Sequence, residues 1–210
     1  MLVWINGPFG GGKTATAYEL ARRLPGGVVC DAEHVGFGLH RALPPALRGD
    51  FQDLRAWREG VFEVLDIAAA GHPGTVIVPM TVVEPGYFAE TVGRLRERGH
   101  DVRHFTLLAE RRTVVRRLRG RGLGWLVAAL GGKDVPLRRE SFALGKLDLC
   151  LERLRAPEFA EHVWTDAVGV PEVAGRIAAS AGLELAPNTD GALRGWTRRA
   201  WVSARHIRFD

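Results

Sequence analysis

The sequence predicts an α/β fold, with five short parallel strands in one sheet and helices covering both faces. Three observations point there. Short apolar runs alternate along the chain with segments whose apolar residues recur every three or four positions. Gly and Pro clusters such as Pro25-Gly26-Gly27 and Gly71 to Gly74 punctuate that alternation. A glycine-rich loop joins the first apolar run directly to the first helical segment.

Leu2–Ile5 is the first strand. Lys13–Leu24 has helical spacing and stops at Pro25-Gly26-Gly27. Val28–Cys30 is the second strand, and His34–Leu43 a short helix that Pro44-Pro45 ends. In Phe51–Ala70 the residues Leu54, Trp57, Val61, Leu65 and Ala68 lie three or four apart, which makes an amphipathic helix. Thr75–Met80 is the third strand, Tyr87–Arg98 a helix closed by Gly99, and Val102–Leu108 the fourth strand. Thr113–Arg119 is a basic helix. Residues 120–136, rich in Gly and ending in Pro136, read as a loop. Leu137–Leu154 is helical, His162–Thr165 the fifth strand, and Pro171–Ala181 a helix with proline in its first turn. Residues 1–186 thus form one domain, and 187–210 a separate basic tail.

Hydrophobic residues at 46% and charged residues at 25% are ordinary for a soluble globular chain and argue against disorder. The net charge of +5 raises the question of nucleic acid. Its location answers against that partner: residues 191–210 carry five arginines and only Asp210, a net +4, which leaves +1 for the rest. Cys30 and Cys150 have no CxxC spacing and read as small buried hydrophobes of a reducing compartment. The chain runs from Met1 into an apolar strand without a basic leader, and the expectation is a cytoplasmic protein.

The dominant motif is Gly7-Pro8-Phe9-Gly10-Gly11-Gly12-Lys13-Thr14, which matches GxxxxGK[ST] between a strand and a helix. Glycines let successive backbone amides curl towards an anion, and the helix start adds its positive end. Lys13 is expected to reach the β- and γ-phosphates of a nucleotide, and Thr14 to ligate Mg²⁺. The guanine-specifying NKxD is absent, which favours ATP.

Ligands of an open parallel sheet bind at the carboxyl ends of its strands. Asp31 follows the second strand and is expected to face the loop from the adjoining strand. It either accepts the proton of an acceptor hydroxyl, or holds Mg²⁺ through water, or caps a helix. The third strand ends in Met80-Thr81 with no Walker B acid, which argues against a motor or switch. Arg111, Arg112, Arg116, Arg117, Arg119 and Arg121 precede the Gly-rich stretch at about 120–136. This reads as an arginine lid closing on a phosphoryl group, with a solvated basic face or an RNA patch as the rival. The loop from Thr165-Asp166 either borders the adenine base or only connects two elements. In the tail, Leu193, Trp196, Ala200, Trp201, Ala204 and Ile207 share a helical face flanked by arginines. That helix either docks on the domain or lies on an anionic membrane surface.

Val3-Trp4-Ile5-Asn6-Gly7, Ile77-Val78-Pro79-Met80-Thr81, His104-Phe105-Thr106-Leu107, Arg117-Leu118-Arg119 and His206-Ile207-Arg208 together resemble the bacterial tunicamycin resistance protein family. More distantly the chain resembles nucleoside monophosphate, shikimate and antibiotic kinases. The resemblance implies a three-layer P-loop kinase fold that binds ATP and Mg²⁺, with partial membrane association. It implies the acceptor-activating position for Asp31 and lid positions for Arg117 and Arg121. The expected function is Mg-ATP-dependent phosphorylation of a hydroxyl on tunicamycin or a related nucleoside antibiotic. Its rivals are a protein that sequesters the drug without chemistry and a housekeeping nucleoside or nucleotide kinase.

Overall fold

The computed structural model describes residues 1–119 and 145–189. Its strands are β1 Leu2–Asn6, β2 Val28–Val29, β3 Val76–Pro79, β4 Val102–Leu108 and β5 His162–Trp164. They form one sheet in the order β2-β3-β1-β4-β5, every pair parallel. The described α-helices are α1 Lys13–Arg23, α2 Glu33–Ala42, α3 Arg55–Gly71, α4 Pro85–Phe88, α5 Arg94–Glu97, α6 Arg111–Arg119, α7 Leu147–Arg153 and α8 Val170–Ser180.

β1 is central, so all five of its residues are buried, and alternate side chains feed opposite layers. Leu2 and Trp4 join Trp57, Val61 and Leu65 of α3 and Leu95 of α5 on one face. Val3 and Ile5 join Ala17 and Leu20 of α1 and Val173, Ala174 and Ile177 of α8 on the other. Each such aliphatic side chain contributes about 1.5–3 kcal/mol on burial. The register Val3↔Ile77 and Val3↔Arg103 aligns the carboxyl ends of β3, β1 and β4.

Several helices differ from the pattern read in the sequence: α6 begins at Arg111 instead of Thr113, and α7 begins only at Leu147, after a turn at Lys146 inside the expected Leu137–Leu154. The expected helix from Phe51 begins at Arg55, because Asp50 Oδ1 accepts the Gln52 amide at 3.1 Å and shapes a separate 3-10 turn over Phe51–Asp53. The expected helix from Tyr87 begins at Pro85, where a missing N–H costs nothing. It widens into a π turn over Ala89–Gly93, where Thr91 Oγ1 donates to the Tyr87 carbonyl at 2.8 Å. The lid stretch 120–136, Arg121, residues 137–144 of the expected helix Leu137–Leu154 and the tail from 190 lie outside the described residues. The chain approaching that tail is pinned to the end of α1: Arg23 Nε donates to the Ala186 carbonyl at 2.8 Å, and the Ala186 amide to the Arg23 carbonyl at 2.9 Å. No helix among the described residues is long and apolar enough to cross a membrane.

Candidate active site

The glycine-rich segment turns back on itself between β1 and α1. The Gly11 amide donates to the Pro8 carbonyl at 2.9 Å, and Lys13 Nζ donates to the same carbonyl at 3.1 Å. Lys13 is 7% exposed, with its ammonium 5.6 Å from the centre of the Phe9 ring. Gly10 has φ 75° and Gly12, capping α1, has φ 97°, a region that side-chain-bearing residues rarely adopt. A Cβ at Gly10 would approach Leu118 of α6 at 2.9 Å, so this glycine also lets α6 close against the loop. Thr14, half-buried, opens α1 beside Lys13. These residues fit an anion cradle at a helix start: curled backbone, an aligned helix N-terminus and a buried ammonium folded into the concavity. Gly7 to Thr14 would hold nucleotide phosphates, and the Thr14 hydroxyl an accompanying Mg²⁺. Among the described residues no group of three His, Cys, Asp or Glu side chains could hold a metal by itself.

The entrance to the loop is fixed by two buried side chains. Asn6 Oδ1 accepts the Gly7 amide at 2.9 Å and the Val82 amide at 3.0 Å, and its Nδ2 donates to the Val82 carbonyl at 2.8 Å. Thr81 Oγ1 donates to the Gly7 carbonyl at 2.8 Å. Where a Walker B acid is missing, β3 thus delivers a hydroxyl to the phosphate loop. Sequence reasoning passed over Asn6; its signal was one polar residue closing an apolar run immediately before the motif.

On the β4–β5 side, Arg117 of α6 donates to Thr165 Oγ1 at 2.9 Å and to the Thr165 carbonyl at 2.6 Å. Burial pulls its pKa below the ordinary arginine value, against the nearby Asp166 carboxylate. Arg117 is therefore fixed to the strand-end loop. The Asp166 carboxylate accepts the Glu110 amide at 3.0 Å and bonds Thr113, so it faces the start of α6. Desolvation pushes the Asp166 carboxyl up, but those bonds and the Arg117 and Arg112 charges overcome it and hold it below the usual carboxylate range.

On the other side, β3 lies between β1 and β2, so Asp31 does not follow the strand adjoining the phosphate loop, as the sequence suggested. Its Oδ1 accepts the Glu33 amide at 3.0 Å at the start of α2. Further contacts on this side come from segments that sequence reasoning did not single out. Lys146 Nζ donates to Asp50 Oδ2, and Arg153 pairs with Glu84, so α7 is tied to the turn before α3 and the loop after β3. Cys150 of α7 is buried, which pushes its thiol up. The positive charges of Lys13 and Lys146 oppose that rise.

An AAA domain family matches residues 2–124. The structure of the tunicamycin resistance protein of Deinococcus radiodurans is 34% identical, with a TM-score of 0.69, over 89% of this chain and 98% of that one. The chain belongs to the tunicamycin resistance protein family. Kinases share the fold of this tunicamycin resistance family member at lower identity. A sugar kinase from a Janibacter species is 19% identical over 87% of this chain and 94% of its own, with a TM-score of 0.56. The shikimate kinase of Bacteroides thetaiotaomicron is 15% identical over 87% and 99%, with a TM-score of 0.51. No curated relative matches the chain. The fold is the P-loop kinase-like one that the motif and the strand–helix alternation suggested.

Proposed function

We propose that the protein is an ATP-dependent kinase that phosphorylates a hydroxyl of tunicamycin or a related nucleoside antibiotic and so confers resistance. The observation that carries this reading is the phosphate loop with the buried Lys13 ammonium folded into it, in a chain similar along most of its length to a tunicamycin resistance protein.

Bound Mg-ATP would supply the γ-phosphoryl group, its bond to the bridging oxygen breaking as ADP leaves. The loop from Gly7 to Thr14 would hold its phosphates through backbone amides, and Lys13, which donates to the Pro8 carbonyl without nucleotide, would neutralise the phosphoryl oxygens. The Thr14 hydroxyl would hold Mg²⁺ together with the phosphates. Arg117, fixed to Thr165, and Asp166, at the start of α6, flank the nucleotide on the β4–β5 side. Arg121 joins Arg117 as a second lid cation. The acceptor enters from the β3–β2 side, where Asp31 takes the proton of its attacking hydroxyl. Residues 1–186 carry this chemistry, and the basic tail 187–210 brings the enzyme to an anionic membrane surface, where an acylated drug partitions.

The Thr81 hydroxyl at the position of a Walker B acid supports a second reading, in which ATP binding gates capture of the drug without transfer. Expression in a tunicamycin-sensitive bacterium tests both readings. The wild-type chain should raise survival and Lys13→Ala should abolish the gain; equal protection by Lys13→Ala would remove the nucleotide from the function.

A further inference from the structure

The path between α7 and the phosphate loop is continuous. Lys146, one residue before α7, donates to Asp50 Oδ2. Asp50 Oδ1 accepts the Gln52 amide at 3.1 Å, and Gln52 Nε2 donates to the Thr81 carbonyl at 3.1 Å. Thr81 Oγ1 donates to the Gly7 carbonyl at 2.8 Å. The next carbonyl, that of Pro8, receives the Gly11 amide and Lys13 Nζ. A second tie runs in parallel, since Arg153 at the far end of α7 pairs with Glu84, three residues beyond Thr81.

Thr81 is 3% exposed and the Asp50 side chain 15% exposed, so the inner bonds of this path are shielded from water, whereas the Lys146 side chain at its outer end is 41% exposed and open to a ligand. The Gly7 peptide is held from both ends, its amide by Asn6 and its carbonyl by Thr81. Its orientation aims the Pro8 carbonyl that receives Lys13.

We propose that Gln52 and Thr81 are positioning residues that transmit the seating of α7 on Asp50 to the geometry of the phosphate loop. Anything that engages Lys146 or Asp50 on the acceptor side then changes nucleotide affinity, and nucleotide in turn tightens α7 by the same factor. The affinity arm rests on the nucleotide-binding reading of the loop; the structural arm does not.

The test is a double-mutant cycle in the full chain between Thr81→Val, which keeps the shape and removes the hydroxyl, and Lys146→Ala. Two readouts are taken: ATP affinity, and amide hydrogen exchange of the segment spanning 5–13 without nucleotide. Each single variant should weaken ATP binding about fivefold and speed exchange of that segment, from the loss of one hydrogen bond of the path. The double variant should also sit near fivefold, well short of the about 25-fold of independent effects. Thr81→Ser and Lys146→Arg should restore wild-type behaviour. Additive effects, or a Lys146→Ala chain whose loop exchanges as in wild type, would overturn the relay. A wild-type chain that does not bind ATP would refute the nucleotide reading, and the exchange cycle would still decide the relay.

Discussion

His104 sets a test of stability that reads directly from β4. The ring is 6% exposed, with Nδ1 3.0 Å from the Ala160 carbonyl and the Phe88 ring centre at 4.6 Å. Burial lowers its pKa from 6.5 to about 4; the Ala160 carbonyl opposes this, and the charges of Arg96 and His162 add to it. The folded protein therefore resists a proton that the unfolded chain accepts. Stability from this group is fully present above about pH 6.5 and is lost as pH falls towards about 4, by at most 1.36 kcal/mol per pH unit. Over the whole window the loss is about 3 kcal/mol. Glu59, Asp66 and Asp166 are held below their ordinary values, so their contributions vanish at lower pH than the start of this window. His104→Asn keeps a donor for the Ala160 carbonyl and cannot titrate. Urea unfolding from about pH 7.5 to about pH 4.5 should show a steep loss for wild type and a much flatter profile for His104→Asn. Parallel profiles would refute the assignment of the slope to this ring.

Other substitutions separate roles at the site. Asp31→Asn retains an oxygen for the Glu33 amide, so Tm and ATP affinity should stay while phosphoryl transfer disappears; undiminished transfer removes Asp31 from the mechanism. Asp166→Ala removes the tertiary hydrogen bonds to the Glu110 amide and Thr113 at the start of α6 and should cost about 1 kcal/mol, a fall of about 2–4 °C in Tm. An unchanged Tm with weakened ATP binding would instead make Asp166 a nucleotide contact. Gly10→Ala meets both the positive φ and Leu118, and about 1–2 kcal/mol of strain should weaken ATP binding about tenfold in a titration. Unchanged affinity would show that the loop and α6 yield there.

The fold was legible because its signals are local. Leu2–Ile5, the GxxxxGK[ST] loop and Val102–Leu108 each show their period or motif within a few residues, and all occur as read. The order of strands was not, since nothing local in Val28–Cys30 says that β3 will insert between it and β1. Asp31 was placed one strand too near for that reason. The site was legible as far as its motif reached. Lys146 and Asp50 meet across 96 residues, and the Thr81 hydroxyl meets Gly7 across 74; such pairs are set by tertiary packing and leave no spacing to read. Both Asp31 and Asp166 spend an oxygen on a backbone amide at a helix start, but Asp31 does so two residues away, the use that local chemistry favours for Asp, while Asp166 reaches Glu110 across 56 residues, which only tertiary packing sets.

The most direct test of the kinase reading is the mass of the drug itself. Purified protein is incubated with Mg-ATP and tunicamycin after ATP binding has been established by titration, and the recovered drug is weighed by mass spectrometry. The expected product carries the added mass of one phosphoryl group, formed with wild type and absent with Lys13→Ala. Tunicamycin recovered unchanged from wild type that binds ATP would contradict phosphoryl transfer and leave capture of the drug as the function.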